Sequence, residues 1–349
     1  MKRLVCLLGF TFTILSLYAR VEVSGHITTD TTWSLANSPY IVTGDVYIDV
    51  GATLTIEAGT IIKFEYRTTT TRLTIIVNGR INPQGTASNN VIFTSLRDDS
   101  VGGDDNMDGS ATRPAPGDWG CIQINSTNNN LSHCTFRYGG YHYHSQSGSR
   151  IWLWINNSTN PAIEISDCTF EYAFGTAIYY DDIMHNATPV ITNNIINNCP
   201  VGIHLRGSGT TTAAITDNII SGSSNSGIKV QDRTVNIIGN ALNQCGTGVS
   251  LDNAVATIYD NSITNSTSYP LIQLNNALPT YLNNTITGSG PSAIGIGGTI
   301  SANRTLSNLQ NMGLVYAVIS DIIIASGATL TIEAGTIIKF EYRTTTTRL

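Results

Sequence analysis

The sequence predicts an all-β fold, a parallel β-helix in which short strands stack as the coils of a solenoid. Three observations predict it. A six-residue unit recurs from about residue 160: ISDCTF (165–170), ITNNII (191–196), ITDNII (215–220), IIGNAL (237–242), IYDNSI (258–263) and YLNNTI (281–286). Its fourth positions, Cys168, Asn194, Asn218, Asn240, Asn261 and Asn284, are 26, 24, 22, 21 and 23 residues apart, a period typical of solenoids. Each period also holds a second short apolar segment, such as AIYY at 177, GIHL at 202, GIKV at 227, GVSL at 248, LIQL at 271 and AIGI at 293, without helical periodicity.

The Asn column predicts a tight bend and a ladder. Asn tolerates a left-handed backbone, and its amide bonds the equivalent amide one coil away, where stacked strands lie about 4.8 Å apart. Five residues further on, Ala173, Cys199, Ser223, Cys245, Ser266 and Ser289 form a column of small side chains that suits a crowded interior. Five cysteines follow the N-terminal leader, and buried free Cys packs as a small apolar group. Cys199 and Cys245 fall two coils apart, about 9–10 Å, too far for a disulfide. Cys134 and Cys168 read as stacked neighbours, so a bond or two free thiols both fit.

Residues 1–19, MKRLVCLLGFTFTILSLYA, read as a signal peptide: two basic residues, an apolar stretch too short to trust as a membrane span, then small and polar residues. No later run is apolar enough for a transmembrane helix. The expected location is therefore secreted or cell-surface. Net charge is −6 with 12% charged residues and no basic stripe, which excludes the footprint of a nucleic-acid binder.

Residues 20–45 are expected to cap the solenoid and form its first strand, with Trp33 covering the exposed edge. The helix proper is expected over 46–300, its alternating residues Val46, Ile48, Val50, Leu54, Ile56, Ile62, Phe64, Leu73, Ile75 and Val77 pointing inward. Two insertions interrupt it, an acidic loop at 97–118 and an aromatic segment at 138–155. GATLTIEAGTIIKFEYRTTTTRL at 51–73 recurs unchanged at 327–349, an offset of 276 residues. Residues 301–349 therefore read as the start of a second repeat copy, truncated at Leu349.

The acidic loop carries D-x-N-x-D-G in Asp104, Asn106, Asp108 and Gly109, with Ala115 where an EF-hand has Glu. Alternating oxygen ligands converge on one Ca²⁺ when Gly permits the sharp turn. The expected ligands are Asp104, Asn106 and Asp108, with Asp98, Asp99 or Asp118 completing the shell, and the ion's role is structural; a solvated acidic loop is the alternative.

Aligning the second strands places one outward column as Tyr179, His204, Lys229, Ser250, Gln273 and Gly295, and the next as Asp181, Arg206, Gln231, Asp252, Asn275 and Gly297. Tyr179, Asp181, His204, Arg206 and Lys229 thus form a candidate carbohydrate-binding strip, set against the plain alternative of an ordinary polar face. The aromatic segment, Tyr138, Tyr141, His142, Tyr143, His144, Trp152 and Trp154, is expected to protrude as a hairpin that packs on the solenoid or binds sugar rings.

With its repeats, its GDVYIDVGATLTIEAGTIIKF opening and GDWG at 117–120, the chain resembles the right-handed parallel β-helix repeat proteins of bacteria over nearly all of its length. That group includes pectin-degrading enzymes, carbohydrate-binding and sugar-hydrolase modules, and surface adhesins, so the resemblance implies fold more than activity. Pectin glycosidases of this fold imply an Asn-Thr-Asp segment, paired Asp, Gly-His-Gly and Arg-x-Lys; only the pair Asp181 and Asp182 is present. The expected function is a non-enzymatic adhesion or carbohydrate-binding scaffold whose partner is a polysaccharide or cell-surface glycan. The alternative is a polysaccharide lyase, hydrolase or epimerase-like enzyme using the strip.

Overall fold

The computed structural model describes residues 20–68, 72–144, 149–156, 163–182, 188–208 and 211–342. The leader expected at 1–19 lies outside them. Apart from one hairpin and an isolated bridge between Thr86 and Asn89, strand pairing among the described residues is parallel. The only helical elements among them are two single turns, Leu35–Asn37 and Gln310–Met312.

Each coil contributes one strand to each of three stacks. Sheet A climbs through Ile122–Ile124, Ser149–Asn156, Thr176–Asp182, Val201–Gly207, Ser226–Gln231, Thr247–Asp252, Leu271–Leu274 and Ala293–Ile300. Sheet B runs from Val91–Ser95 and Cys134–Arg137 through the recurring units to Thr285–Thr287. Sheet C runs from Leu131–Ser132 to Leu278–Leu282.

Left-handed residues make the bends. Between sheets C and B they are Asp167, Asn193, Asp217, Gly239, Asp260 and Asn283, with φ between 53° and 69°. Between B and A they are Tyr172, Asn198, Gly222, Gln244, Asn265 and Gly288. Positive φ costs least for Gly and for short Asx side chains, which explains most of these choices. The bend therefore sits one residue before the Asn column, not on it as the sequence reading expected. That shift frees the Asn side chain to point inward.

Inside, the ladder forms. The backbone N–H and side-chain amide of Asn194 both donate to Asn218 Oδ1, at 3.0 and 2.9 Å, and the pattern repeats from Asn218 to Asn240, Asn240 to Asn261 and Asn261 to Asn284. Each amide also reaches back to the preceding coil, as Asn218 Nδ2 does to Ile191 O at 2.9 Å. A buried polar group is tolerable only when its partners are present, and here every coil supplies the next coil's partners.

The rest of the core is apolar. Phe93, Phe136 and Phe170 stack at 5.0 and 4.7 Å, and Trp119 of the GDWG segment lies 4.1 Å from Phe64. Ala173, Cys199, Ser223, Cys245 and Ser266 are buried as expected, whereas Ser289, the last of that column, is half-buried. Cys121, Cys134, Cys168, Cys199 and Cys245 are free thiols, Cys134 and Cys168 on neighbouring coils. Burial pushes the Cys199 thiol up to about 12, so it remains protonated and unreactive.

At the N-terminal end the expected cap is itself a coil. Val21–Ile27 pairs with Tyr40–Ile48 and Thr31–Trp33 with Thr53–Ile56, and Trp33 stacks on Tyr40 at 5.0 Å. The expected inward residues are buried except Val50, which is 85% exposed because its strand ends at Ile48 and Val50 occupies the following turn.

The duplication is wider in structure than in sequence. Ala293–Ile300 pairs with Val315–Ile324 through a register shift at Gly298 that matches the one at Gly25. Arg304–Leu306 pairs with Leu330–Ile332 as Thr31–Trp33 pairs with Thr53–Ile56. The Glu57 carboxylate accepts the Leu35 N–H at 2.8 Å, and Glu333 accepts that of Asn308 at 2.8 Å. The two copies differ in cover: Phe64 is 0% exposed and its equivalent Phe340 is 67% exposed.

Candidate functional site

Parallel pairing fixes which side chains share the outer face of sheet A. Tyr179 lies opposite His204, His204 opposite Lys229, and Lys229 opposite Ser250; Asp181 lies opposite Arg206, Arg206 opposite Gln231, and Gln231 opposite Asp252. The structure thus brings all five strip residues together in the expected register. It also adds Trp154, opposite Tyr179 on the preceding coil. The aromatic insertion is therefore only partly a hairpin: His142–His144 pairs antiparallel with Ser149–Asn156, and the latter strand continues into sheet A. Tyr138 stacks on Tyr172 and Tyr141 packs against Phe174, while the side chains of His142, Tyr143, His144 and Trp152 lie outside the described residues.

The strip is not the open platform that alternation predicts. Tyr179, His204 and Asp181 are buried, at 0, 2 and 8% exposure. Neighbouring coils are close enough for their side chains to satisfy one another. The Tyr179 ring meets His204 edge-on at 4.9 Å, and its hydroxyl donates to Asp181 at 3.3 Å. Arg206 approaches the same carboxylate at 4.0 Å. His204 Nε2 lies 2.8 Å from Gln231 Oε1, and the Gln231 amide donates to Asp252 at 3.3 Å. Arg206 and Lys229 stay half-buried, and Arg206 borders a recess of about 340 Å³ together with Ser208, Asp232 and Asn253. Burial holds the Lys229 ammonium below its ordinary pKa, with Asp252 opposing.

Beyond Asp252 the expected register slips by one residue. Ser250 pairs with Ile272, not Gln273, and Asp252 with Leu274, not Asn275. A slip of one reverses every side chain's face. Gln273 accordingly points inward, where it donates to the Tyr281 hydroxyl and accepts from Arg304 Nη2 at 2.6 Å. The buried Arg304 is the sequence signal that was missed, because an interior cation demands an interior acceptor.

The acidic loop docks on the first coils through Lys63, whose fully buried ammonium donates to Gly103 O at 2.7 Å and pairs with Asp105 at 2.5 Å. Asp104 accepts the N–H groups of Asp108 and Gly109 at 3.1 and 2.8 Å, closing the turn. Carboxylate oxygens of Asp99, Asp104 and Asp108 lie within 4.8 Å of one another. Asp99 Oδ1, Asn106 Oδ1 and Asp108 Oδ1 are buried without a hydrogen-bond donor among the described residues. Burial and the Asp104 charge raise the Asp99 pKa, whereas the Thr112 hydroxyl lowers that of Asp108. Asp118 does not join them. It accepts from Ser95 Oγ at 2.7 Å and Ala115 N–H at 3.1 Å and faces Arg97 at 3.5 Å, which makes it a strut under the loop. Asp98 is likewise occupied, accepting from Thr94 and Ser100. Asp99 is the acid that completes the cluster.

A profile of pectate-lyase-like β-helix domains matches residues 25–160, and one of right-handed β-helix regions matches 201–338. No curated protein matches the sequence. Among solved structures, the periplasmic alginate epimerase AlgG overlays with a TM-score of 0.39 and 14% identity, covering 87% of this chain and 76% of that one. The surface protein and adhesin PfbA of Streptococcus pneumoniae overlays with a TM-score of 0.29 and 11% identity, covering 92% and 91%. Overlays at these scores bear on neither activity nor ligand. No helix among the described residues is long and apolar enough to cross a membrane.

Proposed function

The chain is a right-handed parallel β-helix repeat protein, and from that premise we propose that it is an exported, non-catalytic scaffold that binds polysaccharide or cell-surface glycan on the outer face of sheet A. The observation that supports this is the register that puts two half-buried cations, Arg206 and Lys229, on neighbouring coils, with Arg206 at a polar recess and the buried Tyr179, Asp181 and His204 beside them. The two cations make the contacts, Arg206 as a forked donor, and the buried residues hold them in place. Export rests on the leader sequence of residues 1–19.

Replacing Arg206 and Lys229 together by Ala is expected to weaken glycan retention at least tenfold on a polysaccharide array, with an unchanged melting curve. Undiminished retention by the double variant removes the strip as a binding surface. A second reading, acid–base chemistry on a polysaccharide, is favoured by one observation: a depressed Lys229 pKa next to a Tyr–Asp–Arg cluster. Assaying the same samples for reducing ends and unsaturated products separates the two. Turnover that is abolished by Asp181→Asn promotes the enzyme.

We further infer that the acidic loop holds a structural Ca²⁺. Asp99, Asp104, Asn106 and Asp108 fit that ion, since buried acceptor oxygens without donors are satisfied by a hard cation. Millimolar CaCl₂ is expected to raise Tm by several degrees, through preferential binding to the folded state. An Asp104→Ala, Asp108→Ala variant that keeps the same response to calcium and to chelator excludes the site.

A further inference from the structure

We propose that the corner where residues 49–53, 78–80 and 125–127 stack is a saccharide-binding groove, separate from the strip and sharing with it only the class of ligand. Three successive corners border an open recess of about 880 Å³. At about 4.8 Å per coil the trough is ~10 Å long, a shape that suits a segment of chain more than a compact metabolite. Gly79 forms its floor: a Cβ there would lie 2.2 Å from Asp49 O and 2.3 Å from Ala52 O, so only glycine lets the corners close.

The polar groups of the groove are arranged for a ligand with both donors and acceptors. The Gln123 amide donates to Asn125 Oδ1 at 2.8 Å, and the Asn125 amide donates to Asn78 Oδ1 at 2.9 Å. This aligned chain ends on the Asn78 NH₂, which has no acceptor among the described residues. On the facing wall the Asp49 carboxylate is oriented by His26 at 3.0 Å, and His26 in turn stacks on Tyr47 at 4.7 Å. Arg80 is exposed at one rim and Val50, 85% exposed, offers an apolar contact at the other. One acid, one base, neutral amides and a small apolar surface match a neutral sugar, with hydroxyls that both donate and accept and a C–H face.

The second copy of the module supplies an internal comparison. The same strand pairing is built there with Thr299, Ile323 and Ala325 where the first copy has His26, Tyr47 and Asp49. Of the lining residues, Gly51, Ala52 and Thr53 recur there as Gly327, Ala328 and Thr329, whereas Asp49 and Val50 are replaced by Ala325 and Ser326. The strand pairing therefore does not call for Asp49, Val50 or the His26 and Tyr47 pair behind Asp49, and ligand binding is the reason that the recess supports for them.

The comparison also provides the test. A triple variant His26→Thr, Tyr47→Ile, Asp49→Ala carries residues already accommodated by this coil geometry, and Asn78→Ala removes the terminal donor. Calorimetric titration of the full chain with neutral tetrasaccharides of glucose, mannose and galactose, and with tetragalacturonate as acidic comparator, is expected to show binding of a neutral probe. Both groove variants should weaken it at least tenfold with unchanged melting curves. Absence of binding to any neutral probe, or binding that both groove variants retain, overturns the proposal. Loss with the Arg206→Ala, Lys229→Ala pair but not with the groove variants puts the glycan on sheet A, which overturns the groove and leaves the strip standing.

Discussion

Asn218→Ala is expected to destabilise the central coils by about 3–9 kcal/mol, because three hydrogen bonds to buried groups are lost at once and each buried orphan costs about 1–3 kcal/mol. The backbone N–H and side-chain amide of Asn194 both donate to Asn218 Oδ1, and Ile191 O accepts from Asn218 Nδ2. All lie in the buried interior, where water cannot substitute. Coils contact only their neighbours, so the damage should be local. Amide exchange should show faster opening of residues 191–243 while the Phe93, Phe136 and Phe170 stack keeps its protection. Uniform loss of protection along the solenoid would mean that it opens as one cooperative unit.

Phe64→Ala is expected to cost about 3–5 kcal/mol, the usual range for emptying a buried aromatic site. Phe340→Ala, in an identical stretch of sequence, should change stability by no more than about 0.5 kcal/mol because the ring is exposed. The pair holds local sequence constant and varies only the cover. In the first copy that cover is Trp119, 4.1 Å from the Phe64 ring, and the strand Val91–Ser95. Chemical denaturation of both variants reads the difference directly. Equal costs would mean that Phe340 is covered in solution.

Much of this is legible in the sequence. The period, the Asn ladder and the small-residue column each follow from a repeated steric need, and repetition makes the need visible in one sequence. The left-handed position was misplaced by one residue because Asp, Asn and Gly crowd both sites, as Asp217 beside Asn218 illustrates. The strip's membership was readable from Tyr179 to Asp252, since alternation and coil length agree there. Its burial was not, because exposure depends on what neighbouring side chains do with each other; Tyr179 and His204 meet only once adjacent coils are stacked. Gln273 was misassigned since LIQL aligns as well one residue away, and the Arg304 contact that decides the register is 31 residues downstream. In the acidic loop the spacing identified Asp104, Asn106 and Asp108, but the choice of Asp99 over Asp98 and Asp118 depended on which carboxylates were already engaged by Thr94, Ser95 and Ser100.

The duplicated module also changes direction between its two copies. Following the outer column from Tyr47 through Ile76, Gln123, Trp154, Tyr179, His204, Lys229, Ser250, Ile272 and Gly295 to Ala317 takes ten coil steps, or ~48 Å at 4.8 Å per step. Ala317 is the counterpart of Ile41 and not of Tyr47: Tyr40–Val42 stacks under Ile62–Phe64 and Val91–Ser95 of sheet B, whereas Tyr316–Val318 continues sheet A, so the second copy is turned by one face of the solenoid as well as raised along it. A surface feature carried on the unit would therefore face a different side in successive copies, and a ligand lying along one face would meet it once and gain no avidity from the second copy.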